Sequence, residues 1–506
     1  MTEGRLSIDT EVHPRFPVYS AGNFGEVAPE RLSIAAWSLI GDPVERGCRA
    51  LAQMLWPRAT WYTGSLYVFV GYFRCRPYHN LSAFCHMGCE VPGTSVEDVI
   101  GSYFEDAPEP ERPKGVGAGT LGRAGGVWRI AREGVSLRGA LTESDGRVHL
   151  LEEEARRAVD SGSEFALGAC WERATALLPE IWKIHYTTTL GLVPLRAAQR
   201  GIGRRALGYW PELEPWLNRP QELVWSMLHD ASQDPTPLAA GEFLDSAFYE
   251  VADHHEPWAT YATRHGGGQL AEPPAERDDL REVAWGILPR SRRALLPQLD
   301  RLVSDTMSSR ENSKSQAMRC MHVFRRLLPL AAESAGVAHE DWPYLTVGEL
   351  DGSLSVAEAS ERAARRRAEC ERGLAQEAPE LVAPGRRGGA PIEAPGREKR
   401  FGKGRGVSPG LATGLVVSPS NPQLDGELNG ARRILVCDSA DADIQPLLPQ
   451  MSGVITARGS ALSHVSILAR EYGVPAVVGH ALARELQPGQ EVSLDGTTGE
   501  VTVIGD

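Results

Sequence analysis

The sequence predicts a mixed α/β multidomain protein, in which a large, mostly helical N-terminal part is linked to a small C-terminal α/β domain. Three observations predict it. Helical spacing of apolar residues dominates from about 126 to 376, as in "EEEARRAVDSGSEFALGACWERATALLPEIWKIHYTT". A Pro/Gly/Arg-rich segment, "APELVAPGRRGGAPIEAPGREKRF", breaks the pattern at 378–401. Beyond it, short apolar runs such as "RRILVCD", "SGVITA", "PAVVG" and "EVSLDG" alternate with turns around one helical stretch, "ALSHVSILAREYG". The expected division is 1–377, a flexible linker at 378–402, and 403–506.

Taken in order, "DPVERGCRALAQMLW" (42–56) predicts a helix, with Asp42 as N-cap and Pro43 at the first helical position. "GSLYVFVGYFRC" is rich in aromatic and β-branched residues and predicts a strand or hairpin. Its aromatic side chains, with Trp61, Tyr62 and Tyr78, suit core packing better than a pocket wall. Residues 106–125 predict a long loop. "SSRENSKSQAMRCMHVFRRLLPLAAESAG" predicts a further helix, and "SVAEASERAARRRAECERGLAQE" a charged surface helix supported by acid–base pairs rather than by a deep core. The linker, at about 25–30 Å r.m.s. span, is long enough to let the last domain travel.

Bulk composition excludes several classes. A formal charge of −13 argues against binding nucleic acid or anionic membranes non-specifically, because both require basic surfaces. No secretory leader is evident in "MTEGRLSIDTEVHPRF", and "SLYVFVGYF" is far shorter than the ~20 residues of a membrane span. A cytoplasmic protein is expected. The 8 cysteines show no disulfide spacing. His79, Cys85, His86 and Cys89 fall close together but lack paired-knuckle spacing, so buried thiols are favoured over a zinc site, and no metal is expected.

Two motifs carry chemistry. In "RGSALSHVSILARE", a strand feeds a tight turn and then a helix that opens near His464. Unpaired backbone N–H groups and the helix dipole favour an anion at such a start. A neutral imidazole there is a competent nucleophile near pH 7. Ser463, Arg458 and Arg470 are near enough in sequence to bind a phosphate; local capping by His464 is the structural alternative. In "RENSK", Arg310 and Lys314 are four residues apart and share a helical face, where both could grip one phosphate. Glu311 beside them could orient a hydroxyl or accept its proton, although a solvated helical face would leave the same pattern.

Over 404–506, "GVSPGLATGLVV", the "RRILVCD…GVITARGSALSHVSILAREYGVPAVVGHA" stretch and "LQPGQEVSLDGTTGEVTV" together resemble the swivelling phosphohistidine domain of the phosphoenolpyruvate-utilising and rifampin phosphotransferase-like family. "NFGEVAPERLSIAAWS", "NLSAFCHMGCEVPG", "RHGGGQLAEPPAERDD", "RENSK" and "EDWPYLTVGEL" resemble the family's substrate-binding domain. Ser460 stands where the family usually has a second glycine, and Val465-Ser466 replaces the usual small pair.

The resemblance implies that His464 is phosphorylated from ATP and passes the phosphoryl group to a small-molecule hydroxyl near Arg310, Glu311 and Lys314. It makes His265 a candidate substrate-binding residue. Nothing in the sequence resembles the family's ATP-grasp domain, so Mg2+ and ATP are expected on a separate ATP-grasp subunit. The alternative is a non-catalytic ligand-binding or regulatory protein that retained the fold.

Overall fold

The protein is described by a computed structural model covering residues 9–21, 32–64, 67–91, 94–100, 104, 110–111, 120–162, 164–206, 285–350, 353–376, 378–379, 381–383, 392–393, 404–419, 432–438, 447–459 and 463–504. The roles of His265 and Ser460 lie outside these residues, as do most of the expected 106–125 loop and the side chains of Glu311 and His464.

Helix α1 spans Ile34–Leu55, so it begins well before the expected start, and Pro43 lies inside it. The cap is Ser33, whose hydroxyl accepts from the Ala36 N–H at 3.1 Å. Leu39 and Ile40 extend the buried stripe back towards that cap, and this packing outweighs the one backbone bond that Pro43 cannot donate. Asp42, expected as the cap, instead accepts the Tyr67 hydroxyl.

The stretch read as a strand or hairpin holds β2 (Val70–Phe73), and the hairpin closes with β3 (Arg76–His79) just beyond it, with Phe73 opposite Arg76. Its two-residue turn places Arg74 and Cys75 at φ 50° and 63°, the left-handed geometry that matches strand twist. A five-stranded antiparallel sheet forms in the order β2-β3-β1-β4-β5, with β1 at Tyr19–Ser20, β4 at Leu381–Ala383 and β5 at Ile392–Glu393. Both β4 and β5 fall within the expected linker. Pairing with β1 through Tyr19↔Val382 ties that stretch to the N-terminal body. Asn80 caps α2 (Leu81–Cys89), and the single turn α3 (Val96–Val99) follows.

Three long helices form the body: α4 (Thr120–Ser161), α5 (Glu164–Ala206) and α6 (Arg290–Ser334). Helix α4 takes in the last residues of the expected 106–125 loop. Arg147–Glu180 and Arg173–Glu154 fix α4 and α5 antiparallel. Arg138–Asp305 and the fork of Arg319 on Glu152 run α4 parallel to α6. Helix α1 packs across α5 at Gly47, where an added Cβ would lie 2.8 Å from the Lys183 nitrogen and 2.9 Å from the Pro179 oxygen.

Helix α7 (Val356–Leu374) opens with a Ser355/Glu358 capping box. It was expected to lack a deep core, yet Ala359, Ala363 and Cys370 enter the main core. Arg366 is buried and forks onto Glu349 at 2.6 and 3.0 Å.

The C-terminal α/β domain is a seven-stranded sheet ordered β12-β11-β7-β8-β9-β10-β6. Strands β7 (Leu411–Val417), β8 (Arg433–Cys437), β9 (Gly453–Thr456) and β10 (Ala476–Val478) are parallel. The antiparallel strands β6 (Arg405–Ser408), β11 (Glu491–Asp495) and β12 (Glu500–Val503) complete it. Between β9 and β10 runs α8 (His464–Tyr472), closed by Gly473 at φ 65°.

Two outcomes follow from this packing. Gly47→Ala forces α1 off α5 and destabilises the protein by about 1–3 kcal/mol, read as a lower melting temperature. Burial pushes the Glu349 carboxyl up, but Arg366, the Thr346 N–H and Arg362 outweigh it and hold its pKa at about 2. A depressed carboxyl stabilises the fold above its unfolded pKa of about 4.3, and that contribution disappears as pH falls towards 2. Denaturant titrations of wild type and Glu349→Gln should therefore differ at pH 7 and converge as pH falls through that window.

Candidate functional site

The C-terminal ends of β8, β9 and β10 form one edge of the small domain, the edge at which parallel sheets commonly bind ligands. His464 is the first residue of α8, which leaves this edge. Ser463 is its N-cap residue and is fully buried. The Ser463 hydroxyl pairs with that of Ser466 at 2.8 Å and makes no side-chain cap bond to the backbone. The Ser463 carbonyl accepts the first helical bond, from Ile467 N–H at 3.0 Å.

The turn entering α8 is held from below. Ala457 N–H donates to Cys437 O at 3.0 Å and Arg458 N–H to Asp438 O at 2.8 Å, while His480 N–H donates to Thr456 O at 3.0 Å. Gly459 has φ 144° and packs against Val478 and Thr456, a conformation and closeness that a side chain would oppose. Just beyond β8, Asp438 holds two guanidiniums: that of Arg458 and, at 2.6 Å, that of Arg484. Burial works to raise the Asp438 pKa, but Arg484 and Arg458 outweigh it and keep the carboxyl below its ordinary range.

The second part of the site is the α5–α6 interface. His185 Nδ1 lies 3.3 Å from the Arg310 carbonyl and 3.3 Å from the Ser313 hydroxyl. Ser313 itself donates to the Arg310 carbonyl at 2.7 Å, so both partners accept and Nδ1 carries the imidazole proton. Thr188 and Thr189 hydroxyls donate to the His185 carbonyl. His79 reaches the same region from β3, its Nε2 2.8 Å from the Tyr186 hydroxyl. Burial, and then the neighbouring His185, push the His79 pKa down to about 3, so it is neutral at physiological pH.

Val303, Met307, Arg310 and Lys314 lie three or four residues apart and share one face of α6. Arg310 is only 4% exposed, and Lys314 is half-buried. Leu192 of α5, with Val303 and Met307, belongs to the same buried apolar cluster as Val465 and Leu468 of α8. Buried apolar side chains of the helical body and of the small domain thus form one cluster, and within it Met307 lies about one helical turn from Arg310.

Arg458 and Ser463 lie at the strand-end edge with His464, and Arg310 and Lys314 share the facing helix, with Glu311 within the same turn. Arg470 lies apart from them, in the last turn of α8, where its guanidinium donates to the Val407 carbonyl at 3.0 Å. His86 packs between Phe16 and Trp61, and Cys85 is buried while Cys89 is half-buried. Sequence reasoning missed His185, Ser313, Asp438 and Arg484. An acidic residue ending the apolar run "RRILVCD" was a usable signal for Asp438; nothing local marks Arg484.

Residues 430–499 match the family model described as the mobile domain of PEP-utilising enzymes. Over 115 residues the chain is 39% identical to phosphoenolpyruvate synthase of Deinococcus radiodurans, covering 22% of this chain and 14% of the synthase. A probable phosphoenolpyruvate synthase of Methanothermobacter thermautotrophicus is 42% identical over 101 residues, 20% of this chain and 14% of that protein. An uncharacterized protein of Mycobacterium tuberculosis is 26% identical over 547 residues, 98% of this chain. The chain spans 62% of that relative's length. Among the described residues, no helix is long and apolar enough to cross a membrane.

The seam gives a direct expectation. Met307→Lys buries a charge within the apolar cluster shared by the helical body and the small domain, which loosens that cluster. Hydrogen exchange at Val465–Leu468 should then accelerate about tenfold or more, while amides of α1 and α5 keep their protection.

Proposed function

We propose that this protein is a phosphotransferase subunit that carries a phosphoryl group on His464 to a small-molecule hydroxyl. The observation that best supports the reading is the apolar cluster that joins the small domain, whose helix α8 opens with His464, to the α6 face where Met307 lies about one turn from Arg310. A pure binding protein has no need to combine a phosphohistidine turn with an Arg/Lys face at the same junction.

In the proposed cycle, a separate ATP-grasp subunit holds Mg2+ and ATP and loads His464; AMP leaves, and one water takes the remaining phosphoryl group as inorganic phosphate. The small domain then returns to the α5–α6 face. There the acceptor oxygen forms its bond to phosphorus as the phosphorus–imidazole bond breaks, and the imidazole nitrogen retains that electron pair. Arg310 and Lys314 neutralise the transferring group, and Glu311 receives the hydroxyl proton. Such transfer depends on positioning and charge neutralisation more than on covalent chemistry by the protein. Ser463 and Arg458 belong to the phosphate end of the site; His265 is proposed for the acceptor end.

Labelled ATP, Mg2+ and an ATP-grasp partner should put an acid-labile, base-stable label on wild type and none on His464→Ala. Equal label on both proteins would sink the carrier assignment. Arg310→Ala and Lys314→Ala should load normally but slow discharge to the acceptor about a hundredfold or more, followed by loss of label from the protein.

A further inference from the structure

We infer that Arg484 is a positioning residue for the phosphoryl group on His464, and that Asp438 is a built-in stand-in for that group. The inference rests on the carrier role of His464 and adds to it a residue that no motif marks.

Asp438, Arg458 and Arg484 follow three adjacent parallel strands and meet at the edge from which α8 departs. One carboxylate bridges the two guanidiniums, its Oδ1 to Arg484 Nε at 2.6 Å and its Oδ2 to Arg458. Among the described residues, those that titrate next to Arg484 in sequence are His480, which caps the 3-10 turn Ala481–Arg484, and the exposed Glu485 that follows.

A phosphoryl group offers three oxygens and nearly two negative charges, more than a carboxylate. It therefore competes successfully for a guanidinium that a half-exposed Asp438 holds in its absence. Arg484 suits the exchange because its side chain is itself 46% exposed and its planar fork binds oxyanions in pairs. In the unloaded protein Asp438 holds both arginines at the strand-end edge. In the loaded protein Arg484 turns from the carboxylate to the phosphoryl oxygens.

The test uses the full chain and potassium phosphoramidate as a small phosphoryl donor, so no partner subunit is needed. The imidazole lone pair forms the new nitrogen–phosphorus bond; the donor's nitrogen–phosphorus bond breaks, and ammonia leaves with that pair. Phosphorus-31 NMR follows the loading. Arg484→Gln should load about tenfold more slowly and shift the phosphohistidine resonance, with Arg484→Lys intermediate.

Asp438→Asn removes the competing carboxylate and should load several-fold faster than wild type. A merely structural salt bridge predicts the reverse for that variant, because breaking it from either side would damage the same edge. Slower loading by both Arg484→Gln and Asp438→Asn, or an unchanged rate in both, overturns the inference. Absence of label on wild type, or label that survives His464→Ala, instead overturns the carrier reading itself. Thermal melts of each variant separate loss of the site from loss of the fold.

Discussion

The antiparallel packing of α5 on α6 is the contact on which the rest of the molecule depends. Along this one interface the character changes in steps: Cys320 bonds to the Ala174 carbonyl, His185 meets Arg310 and Ser313, and Leu192 meets the apolar seam with Val303 and Met307. Because both helices are continuous, a shift of one register would move the polar step into the apolar one and misplace Arg310 and Lys314 together. The polar step has a further effect. A hydroxyl and an imidazole that are already bonded can be buried at modest cost, whereas the same groups unpaired cost about 1–3 kcal/mol each.

The small domain obeys a different rule. Its parallel strands concentrate backbone and side-chain polar groups at one edge, and the turn of α8 is assembled there by bonds from β8 and from the segment after β10. Residues far apart in sequence, Asp438, Arg458 and Arg484, therefore act as neighbours. The ion pairs of Asp438 with both arginines tie the ends of these strands together.

Local signals made much of this readable from the sequence. The aromatic and β-branched run gave the β2–β3 hairpin, and the alternation of short apolar runs with turns gave the parallel strands and α8. Apolar spacing likewise marked α6 and its Arg310–Lys314 face. Where tertiary contacts decide, the reading fell short. The start of α1 is fixed by Ser33 and a buried stripe, not by the Asp42–Pro43 signal. Strand β4 is a three-residue apolar run inside a Pro/Gly-rich segment, and it pairs because β1 offers it an edge. Charge on a helix read as surface hid the buried Arg366, whose partner Glu349 lies outside that helix. Arg470 looked close to His464 in sequence, but two turns of helix carry it to the opposite end.

Pairing of β4 with β1, and of β5 with β4, has a geometric consequence for any travel of the small domain. The tether does not start at the end of α7 but after Glu393, and the domain begins at Gly404. Roughly ten residues remain between them, a leash of about 35 Å at full stretch. In the proposed cycle, that length caps how far Gly404 can move from the edge of the first sheet, and so limits where a loading partner could present its nucleotide.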